Sequence, residues 1–250
     1  MALVLHPVGG YRFLPGIDAY SRGVIAARGF EIVRVALSEP LPWRVGFDRI
    51  AAYLRREGRP RAALCAIELR SPRPFPRDGF AAFNGDYRAV LATWRVFVDG
   101  VNPVARTNVA PVFHPPAEPS LFAFSFTRPT DSGARSFVVA GAGELQGGPL
   151  ATAPVVRAGE TGPAAMAEKA RFVMDEITAR LAQLGAGWDE VTATQVYTAE
   201  SLEPFVREQV LPRLGRAARH GIRWYAARPP IDELAFEMDA RAVAAERWLG

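Results

Sequence analysis

Arg106 stands in the segment VARTNVAP, residues 104–111, at the start of a run that predicts a β-strand. A guanidinium group offers a planar set of donors that fits both oxygens of a carboxylate, and it stays charged at any relevant pH. In a cleft, Arg106 would therefore bind an acidic substrate. The alternative is a surface role, because the chain has 30 basic residues, of which only Lys169 is a lysine.

Two glutamates, Glu237 and Glu144, are candidates for general acid and base catalysis. Glu237 lies in the apolar segment LAFEM, residues 234–238, and apolar surroundings raise the pKa of a carboxyl group, which suits a proton donor. The large apolar residues of this segment alternate, so they share one face of the strand and Glu237 lies on the other. A glutamate that faces solvent is the alternative interpretation.

Two glycines, Gly141 and Gly143, lie in the segment AGAGEL, residues 140–145. Glycine lets a backbone approach a ligand closely, and its N–H group can bind an oxygen atom of that ligand. The segment lacks the third glycine and the following helix of a dinucleotide-binding motif. We therefore expect a substrate cleft here and no nicotinamide cofactor.

Metal and thiol chemistry find little support in the sequence. The three histidines, His6, His114 and His220, lie far apart, and none has metal-ligand spacing to another histidine or to cysteine. The single cysteine, Cys65, lies in an apolar run and is expected to be a buried hydrophobic residue. We predict no metal, no other cofactor and a cytoplasmic location, since one cysteine forms no internal disulfide.

The composition is that of a folded globular protein and argues against several kinds of partner. Of the 250 residues, 49% are hydrophobic and 22% are charged, which are ordinary fractions. The net charge is +4, but the arginines are dispersed and form no long run, so we predict no nucleic-acid partner. No apolar stretch reaches about 18 residues, so we predict no membrane association.

Four segments have the apolar periodicity of amphipathic helices. They span residues 43–57, 78–97, 163–184 and 201–218. β-Branched and apolar runs between them predict strands at residues 30–37, 62–69, 107–113, 121–127, 136–142, 191–198, 222–227 and 234–243. A further run at residues 23–27 precedes Arg28 and Gly29, so we expect it to form a hairpin with the strand that begins at Phe30.

The order of strands and helices occurs twice along the chain, which indicates a duplicated domain of about 110–125 residues, a size that can hold its own core. Pro, Ser and Gly in RPTDSGA, residues 128–134, indicate the boundary, and we predict domains at 1–130 and 131–250. The predicted fold class is α+β, with a mixed sheet and two helices on one face in each domain. We expect the two sheets to pair edge to edge.

Three segments of the second half carry a recognisable pattern: SFVVAGAGEL at 136–145, AQLGAGWDEVTATQVYTAESLEPF at 182–205 and ARPPIDELAFEMDARAV at 227–243. In order and spacing they resemble the Rid/YjgF family of reactive imine and enamine deaminases, whose fold is like that of chorismate mutase. The first half resembles this family more faintly, through GFAAFNGDYRAVL at 79–91 and VARTNVAP. Tandem halves of this kind also resemble the chorismatases, which build a trimer from such domains.

The resemblance implies roles for individual residues. Arg106 corresponds to the arginine that binds the substrate carboxylate in catalytic members, and Asn84 corresponds to an asparagine of the family's second helix. Glu237 matches the family's acidic residue in the closing strand, which the first half lacks at 120–127. Arg223, in GIRWY, is the candidate arginine of the second half, although the preceding PAR of the family is missing.

The resemblance implies a hydrolytic deaminase that acts on a small enamine or imine carboxylic acid without a cofactor. One alternative is a chorismatase-like hydrolase or lyase that acts on a cyclic enol-ether acid, and another is a non-catalytic, small-acid-binding or regulatory protein. Family members bind ligands in clefts between the subunits of a trimer. We therefore expect a homotrimer, a pseudo-hexamer of domains, in which exposed strand edges find their partners.

Overall fold

In the computed structural model, which describes residues 2–203 and 205–250, twelve strands form one continuous sheet. The strands are β1 (Val4–Leu5), β2 (Tyr11–Leu14), β3 (Gly23–Ala26), β4 (Phe30–Pro42), β5 (Leu64–Arg70), β6 (Ala105–Pro111), β7 (Ser120–Pro129), β8 (Phe137–Gly143), β9 (Ala193–Thr198), β10 (Arg223–Arg228), β11 (Glu237–Ala242) and β12 (Ala245–Leu249). Their order across the sheet is β1-β2-β3-β8-β11-β9-β10-β6-β5-β7-β4-β12. Parallel and antiparallel pairs both occur, so the sheet is mixed.

The first and second halves of the chain meet in the middle of this sheet. β10 pairs antiparallel with β6, and the paired residues are Ala227 with Pro111 and Arg228 with Ala110. This is the edge-to-edge pairing that we expected from the sequence. The division of the chain into domains at residue 130 stays a prediction.

Both ends of the chain cross into the opposite half of the sheet. β3 pairs with β8, and the C-terminal β12 runs parallel to β4, with Ala245 opposite Val33. The predicted hairpin between residues 23–27 and the strand from Phe30 is therefore wrong. The turn itself forms, with Gly29 at a φ of 81°, but β3 joins β2 and β8 while β4 joins β7 and β12. Long-range partners thus decide the pairing beyond the turn.

Three of the four predicted helices are confirmed. α1 (Trp43–Arg56) and α2 (Arg77–Thr93) pack against β4, β5 and β7, and α3 (Pro163–Gln183) packs against β8, β9 and β11. The two apolar clusters include Phe47, Tyr87 and Phe124 in the first case and Val173, Met174 and Phe236 in the second. Within residues 2–203 and 205–250, every helix is too short or too polar to span a bilayer.

The fourth predicted helix, residues 201–218, is not a regular α-helix. The chain forms one π turn and two 3-10 turns, at Val206–Val210, Leu211–Arg213 and Gly215–His220; Pro204 lies outside the described residues. Pro212 has no N–H group to continue a helix, and Gly215 adopts a φ of 54°. The prediction of two helices on one face therefore holds for the first half, while in the second half α3 is accompanied by this irregular segment.

The sheet curls so that its second face is buried as well. The hydroxyl of Thr107 on β6 donates to Asp239 Oδ2 on β11 over 2.9 Å, and the N–H of Gly141 on β8 donates to Thr107 Oγ1 over 3.1 Å. These contacts join β6 to strands that are not its neighbours in the sheet. Glu237 is therefore 4% exposed on an interior face, and the solvent-facing alternative is wrong.

Candidate functional site

A pocket of about 240 Å³ lies where β6, β8 and β11 meet α2 and α3. Phe80 and Arg106 line it from the first half of the chain, and Gly141, Arg180 and Glu237 line it from the second. The volume lies just below the usual range for drug-sized ligands, about 300–1,000 Å³, and suits a small metabolite. Apolar walls with a few convergent charged groups are typical of a ligand site.

Arg106 enters the pocket from β6 and is 3% exposed. Its Nη2 donates to Asn84 Oδ1 over 2.6 Å, and its guanidinium carbon lies 4.5 Å from the ring centre of Tyr20 and 4.8 Å from that of Tyr87. Nη1 is buried and finds no hydrogen-bond acceptor among residues 2–203 and 205–250. The guanidinium group is thus oriented by uncharged side chains and keeps an unused donor.

The sequence of α2 explains how Arg106 is held. Phe80, Asn84 and Tyr87 are spaced by four and three residues, so they share one face of the helix. All three lie against the guanidinium group of Arg106. Burial lowers the pKa of Arg106, yet an arginine stays charged at neutral pH. A buried cation of this kind is costly to leave unpaired, so it attracts an anion into the pocket.

Glu237 stands on β11 with its carboxyl group against the backbone of Gly141. A Cβ atom at position 141 would collide with Glu237 Oε1, so any larger residue there would force the carboxyl group of Glu237 to move. Burial raises the pKa of Glu237 well above its ordinary value; neighbouring carboxylates raise it further, and the charges of Arg106 and Arg180 oppose the rise. The group therefore keeps its proton at higher pH than an exposed glutamate does, and it can act as a general acid.

Arg180, in the last turn of α3, is a pocket residue that the sequence reasoning missed. Its side chain is 14% exposed, and its Nη1 donates to the carbonyl oxygens of Ala140 and Gly141 over 3.1 and 3.3 Å. One signal was available: Arg180 follows Val173 by seven residues and Ile177 by three, which places a lone basic residue beside the apolar stripe of the helix. Such a residue must find polar partners in the interior.

Glu144, the second predicted acid–base residue, is engaged in holding the fold together. Its carboxylate is fully buried and accepts hydrogen bonds from Lys169 Nζ at 3.0 Å and from the N–H groups of Ala235 at 2.6 Å and Phe236 at 3.1 Å. These donors belong to α3 and to the segment just before β11. Glu144 is not among the pocket-lining residues of the described structure, which favours a structural role.

The other predicted residues divide between the pocket and the surface. Gly141 and Gly143 line the pocket, but the N–H of Gly141 already donates to Thr107, so it is not offered to a ligand. Arg223 lies exposed at the start of β10, opposite Gln195 of β9, and is absent from the pocket lining of the described residues. The residues that the structure brings together are Asn84, Arg106, Gly141, Gly143 and Glu237.

Metal ligands and a reactive thiol were not expected from the sequence. Within residues 2–203 and 205–250, no group of three or more histidine, cysteine, aspartate or glutamate side chains is placed to hold a metal ion. Cys65 is buried, and burial raises the pKa of its thiol, so it is a poor nucleophile. The absence of a cofactor from the working protein stays a prediction.

The solved structures that match this chain are distant from it in sequence. A chorismatase is 12% identical, and the match covers 97% of this chain and 89% of that chain with a TM-score of 0.48. The YjgF gene product of E. coli is 20% identical, and the match covers 46% of this chain and 84% of that chain with a TM-score of 0.28.

One protein family matches almost the whole chain. The model of the family described as 2-aminomuconate deaminase CnbZ matches residues 3–247. A 2-amino-5-chloromuconate deaminase from Comamonas testosteroni is 43% identical over 254 residues, which cover 99% of this chain and 99% of that protein. With a match of this extent and a relative of this identity, the chain belongs to the 2-aminomuconate deaminase CnbZ family.

Proposed function

We propose that this protein deaminates a 2-aminomuconate-type acid, an unsaturated enamine with a carboxylate beside the amino-bearing carbon, by hydrolysis and without a cofactor. One observation carries the proposal: the buried Arg106 keeps an unpaired donor at a pocket that also holds Glu237, a carboxyl group whose pKa is raised by burial. The descriptions of the matching family and of the Comamonas testosteroni relative support the same substrate class.

Arg106 binds the carboxylate next to the reacting carbon. Its guanidinium group is already oriented by Asn84 and by the rings of Tyr20 and Tyr87, so little conformational freedom is lost when the anion arrives. A charge-assisted pair with this buried guanidinium group fixes the amino-bearing carbon as well as the carboxylate. We expect the carbon–nitrogen bond to lie on the Glu237 side of the pocket.

Glu237 moves the protons. Its neutral carboxyl group adds a proton to the conjugated carbon chain, which turns the enamine into an iminium ion and leaves Glu237 as a carboxylate. That carboxylate then takes a proton from a water molecule while the water oxygen bonds to the iminium carbon. Proton transfer from Glu237 to the nitrogen lets the carbon–nitrogen bond break, ammonia leaves, and the remaining hydroxyl returns its proton to Glu237. One water is consumed and one ammonia is released, so no oxidant or other co-reactant is required.

We also propose that residues 1–130 and 131–250 are similar domains in tandem, and that the pocket between them corresponds to the cleft between subunits of single-domain Rid/YjgF proteins. In support, the pocket is lined from both halves of the chain. A homotrimer would cover the edge strand β12, where Trp248 is 74% exposed. Light scattering should give the mass of three chains, and a stable monomer at micromolar concentration would overturn the trimer.

The assay for the activity follows the products. Purified protein incubated with 2-aminomuconate should release one ammonia per molecule of substrate and leave a 2-oxo acid, and the rate should survive dialysis against a chelator. Pyruvate release from a cyclic enol-ether acid would favour the chorismatase-like alternative instead. Binding of small acids with no product at all would favour the non-catalytic alternative. Either of these results, without ammonia release, would overturn the proposal.

A further inference from the structure

We infer that Arg180 binds a second carboxylate, at the far end of the substrate, so that the pocket selects dicarboxylic over monocarboxylic enamine acids. The inference rests on the proposed function, which assigns the first carboxylate to Arg106. It concerns a residue of α3, an element that the sequence-derived site did not include.

The charged groups that line the pocket are unbalanced. Three arginines line it, Arg22, Arg106 and Arg180, against two glutamates, Glu176 and Glu237. Burial also raises the pKa of Glu237, which reduces its negative charge relative to that of an exposed glutamate. A pocket of about 240 Å³ with this excess of positive charge is complementary to a small dianion rather than to a monoanion.

Backbone carbonyl groups position Arg180, and its ion pair with Glu176 is a long one. The carbonyl oxygens of Ala140 and Gly141 accept from Nη1, which fixes the guanidinium group beside the middle of β8. Its Nε is buried and has no hydrogen-bond partner among residues 2–203 and 205–250. Glu176 Oε2 lies 3.7 Å from Nη2, too far for a hydrogen bond, and the Glu176 side chain is 39% exposed. A ligand carboxylate would supply the close hydrogen-bond acceptor that this guanidinium group lacks.

A matched pair of ligands isolates the second carboxylate. Muconate and sorbate share the same six-carbon diene, and sorbate carries a methyl group where muconate carries its second carboxylate. Calorimetric titration of the full-length protein should show muconate bound roughly ten- to a hundredfold more tightly than sorbate. In Arg180→Gln this preference should vanish through weaker muconate binding, with sorbate affinity unchanged. In Arg106→Gln both ligands should bind more weakly.

The matched control is Arg171→Gln, because Arg171 is an exposed arginine of the same helix and should affect neither ligand. Equal affinity of the wild type for muconate and sorbate would overturn the inference. So would an equal loss for both ligands in Arg180→Gln, since a merely structural role predicts that. If Arg180→Gln does not fold, Arg180→Met, which also removes the charge, replaces it, and an unchanged preference for muconate in that variant would overturn the inference. Unchanged affinities in Arg106→Gln would instead count against the proposed function.

Discussion

Arg106 and Arg34 are equally buried, each 3% exposed, but they have opposite surroundings. Arg34 on β4 forms a forked ion pair with Glu68 on β5, with Nε–Oε1 at 2.5 Å and Nη2–Oε2 at 2.9 Å. Arg106 on β6 donates to the neutral amide of Asn84 and keeps Nη1 without an acceptor in the described part of the chain. The fold itself supplies Arg34 with a carboxylate partner. Arg106 can gain such a partner from a ligand that enters the pocket.

The carboxyl groups beside these two arginines, Glu68 near Arg34 and Glu237 near Arg106, differ in the same way. Burial alone would raise the pKa of Glu68, but the charge and hydrogen bond of Arg34, together with the charges of Arg241 and Arg70, outweigh burial and lower it. For Glu237 burial outweighs the charges of Arg106 and Arg180, and its pKa is raised. A paired buried charge holds a structure together, whereas an unpaired one is tolerated where a ligand or a proton transfer needs it. Burial by itself therefore does not distinguish structural from functional charged residues in this protein. The distinction lies in whether the buried group has an oppositely charged partner within the fold.

The largest effect is expected at Glu237. Glu237→Gln keeps the shape of the side chain but cannot give up or take back a proton, so kcat for ammonia release should fall about 10²- to 10⁴-fold. Muconate affinity and the melting temperature should change little, because a buried carboxyl group that holds its proton resembles an amide. Steady-state kinetics with calorimetry would check this. A variant that keeps more than about a tenth of the wild-type kcat would contradict the assignment.

The next largest effect is expected on the stability of the fold, at the ion pair between Arg34 and Glu68. Glu68→Gln removes the hydrogen-bonded countercharge of the buried Arg34 and leaves only the more distant Glu246, which should lower the free energy of unfolding by about 3–5 kcal/mol. Glu246→Gln is the matched control: its side chain is 36% exposed beside Arg34 and Arg241, so the loss should stay below about 1 kcal/mol. Urea unfolding measures both. Equal losses would show that burial of the pair contributes nothing extra.

Arginine-to-lysine changes test the comparison directly. Arg106→Lys keeps the charge but loses the planar fork, so acid binding should weaken roughly ten- to a hundredfold while the melting temperature barely changes. Arg34→Lys should do the reverse, lowering the melting temperature and leaving acid binding intact. Arg223→Lys, an exposed position outside the pocket, should change neither. If Arg223→Lys weakened binding more than Arg106→Lys, the site would lie elsewhere.

Local patterns in the sequence predict most of the helices and strands, and they predict the strand face from which Glu237 projects. α1, α2 and α3 are fixed by apolar periodicity, which depends only on neighbours within two turns. Alternation in the segment at 234–238 correctly puts Glu237 opposite Phe236 and Met238. The same alternation could not show that this opposite face is interior, because β6 reaches it only through the curl of the whole sheet.

Partners distant in the sequence explain the errors. β3 does not form the predicted hairpin; it pairs instead with β8, more than a hundred residues later in the chain. The pairing with β8, and not the turn at Gly29, buries the apolar side chains of β3. Glu144 has the residue type of a catalytic acid, yet Lys169 of α3 neutralises it. Arg180 has the residue type of a solvent-exposed helix position, yet α3 packs so that its side chain reaches the pocket. Residue type suggests chemistry in each case, and three-dimensional pairing decides it.

The smallest expected effect concerns Asp239, which lies between the Arg34–Glu68 ion pair and the pocket that holds Arg106 and Glu237. Its Oδ2 accepts from Thr107 and Tyr197, while its Oδ1 is buried without a hydrogen-bond partner among the described residues and lies 3.9 Å from Arg241 Nη1. Burial, reinforced by the charge of Glu68, raises the pKa of Asp239 from 3.8 to about 6. The folded state thus binds this proton more tightly than the unfolded state. The stability that the proton provides is complete below about pH 3.8 and is lost as the pH rises through about 6.

Asp239→Asn cannot ionise, so it should not share that loss. Measured by urea unfolding between pH 4 and pH 7, the variant should gain stability relative to the wild type as the pH rises, by a few kcal/mol at most, because one pKa unit corresponds to about 1.4 kcal/mol. Asp18→Asn, at an exposed position, should show a constant difference over the same range. A constant difference for Asp239→Asn as well would mean that the hydrogen bonds from Thr107 and Tyr197 keep this carboxylate ionised despite its burial. Asp239 would then resemble Glu68 rather than Glu237.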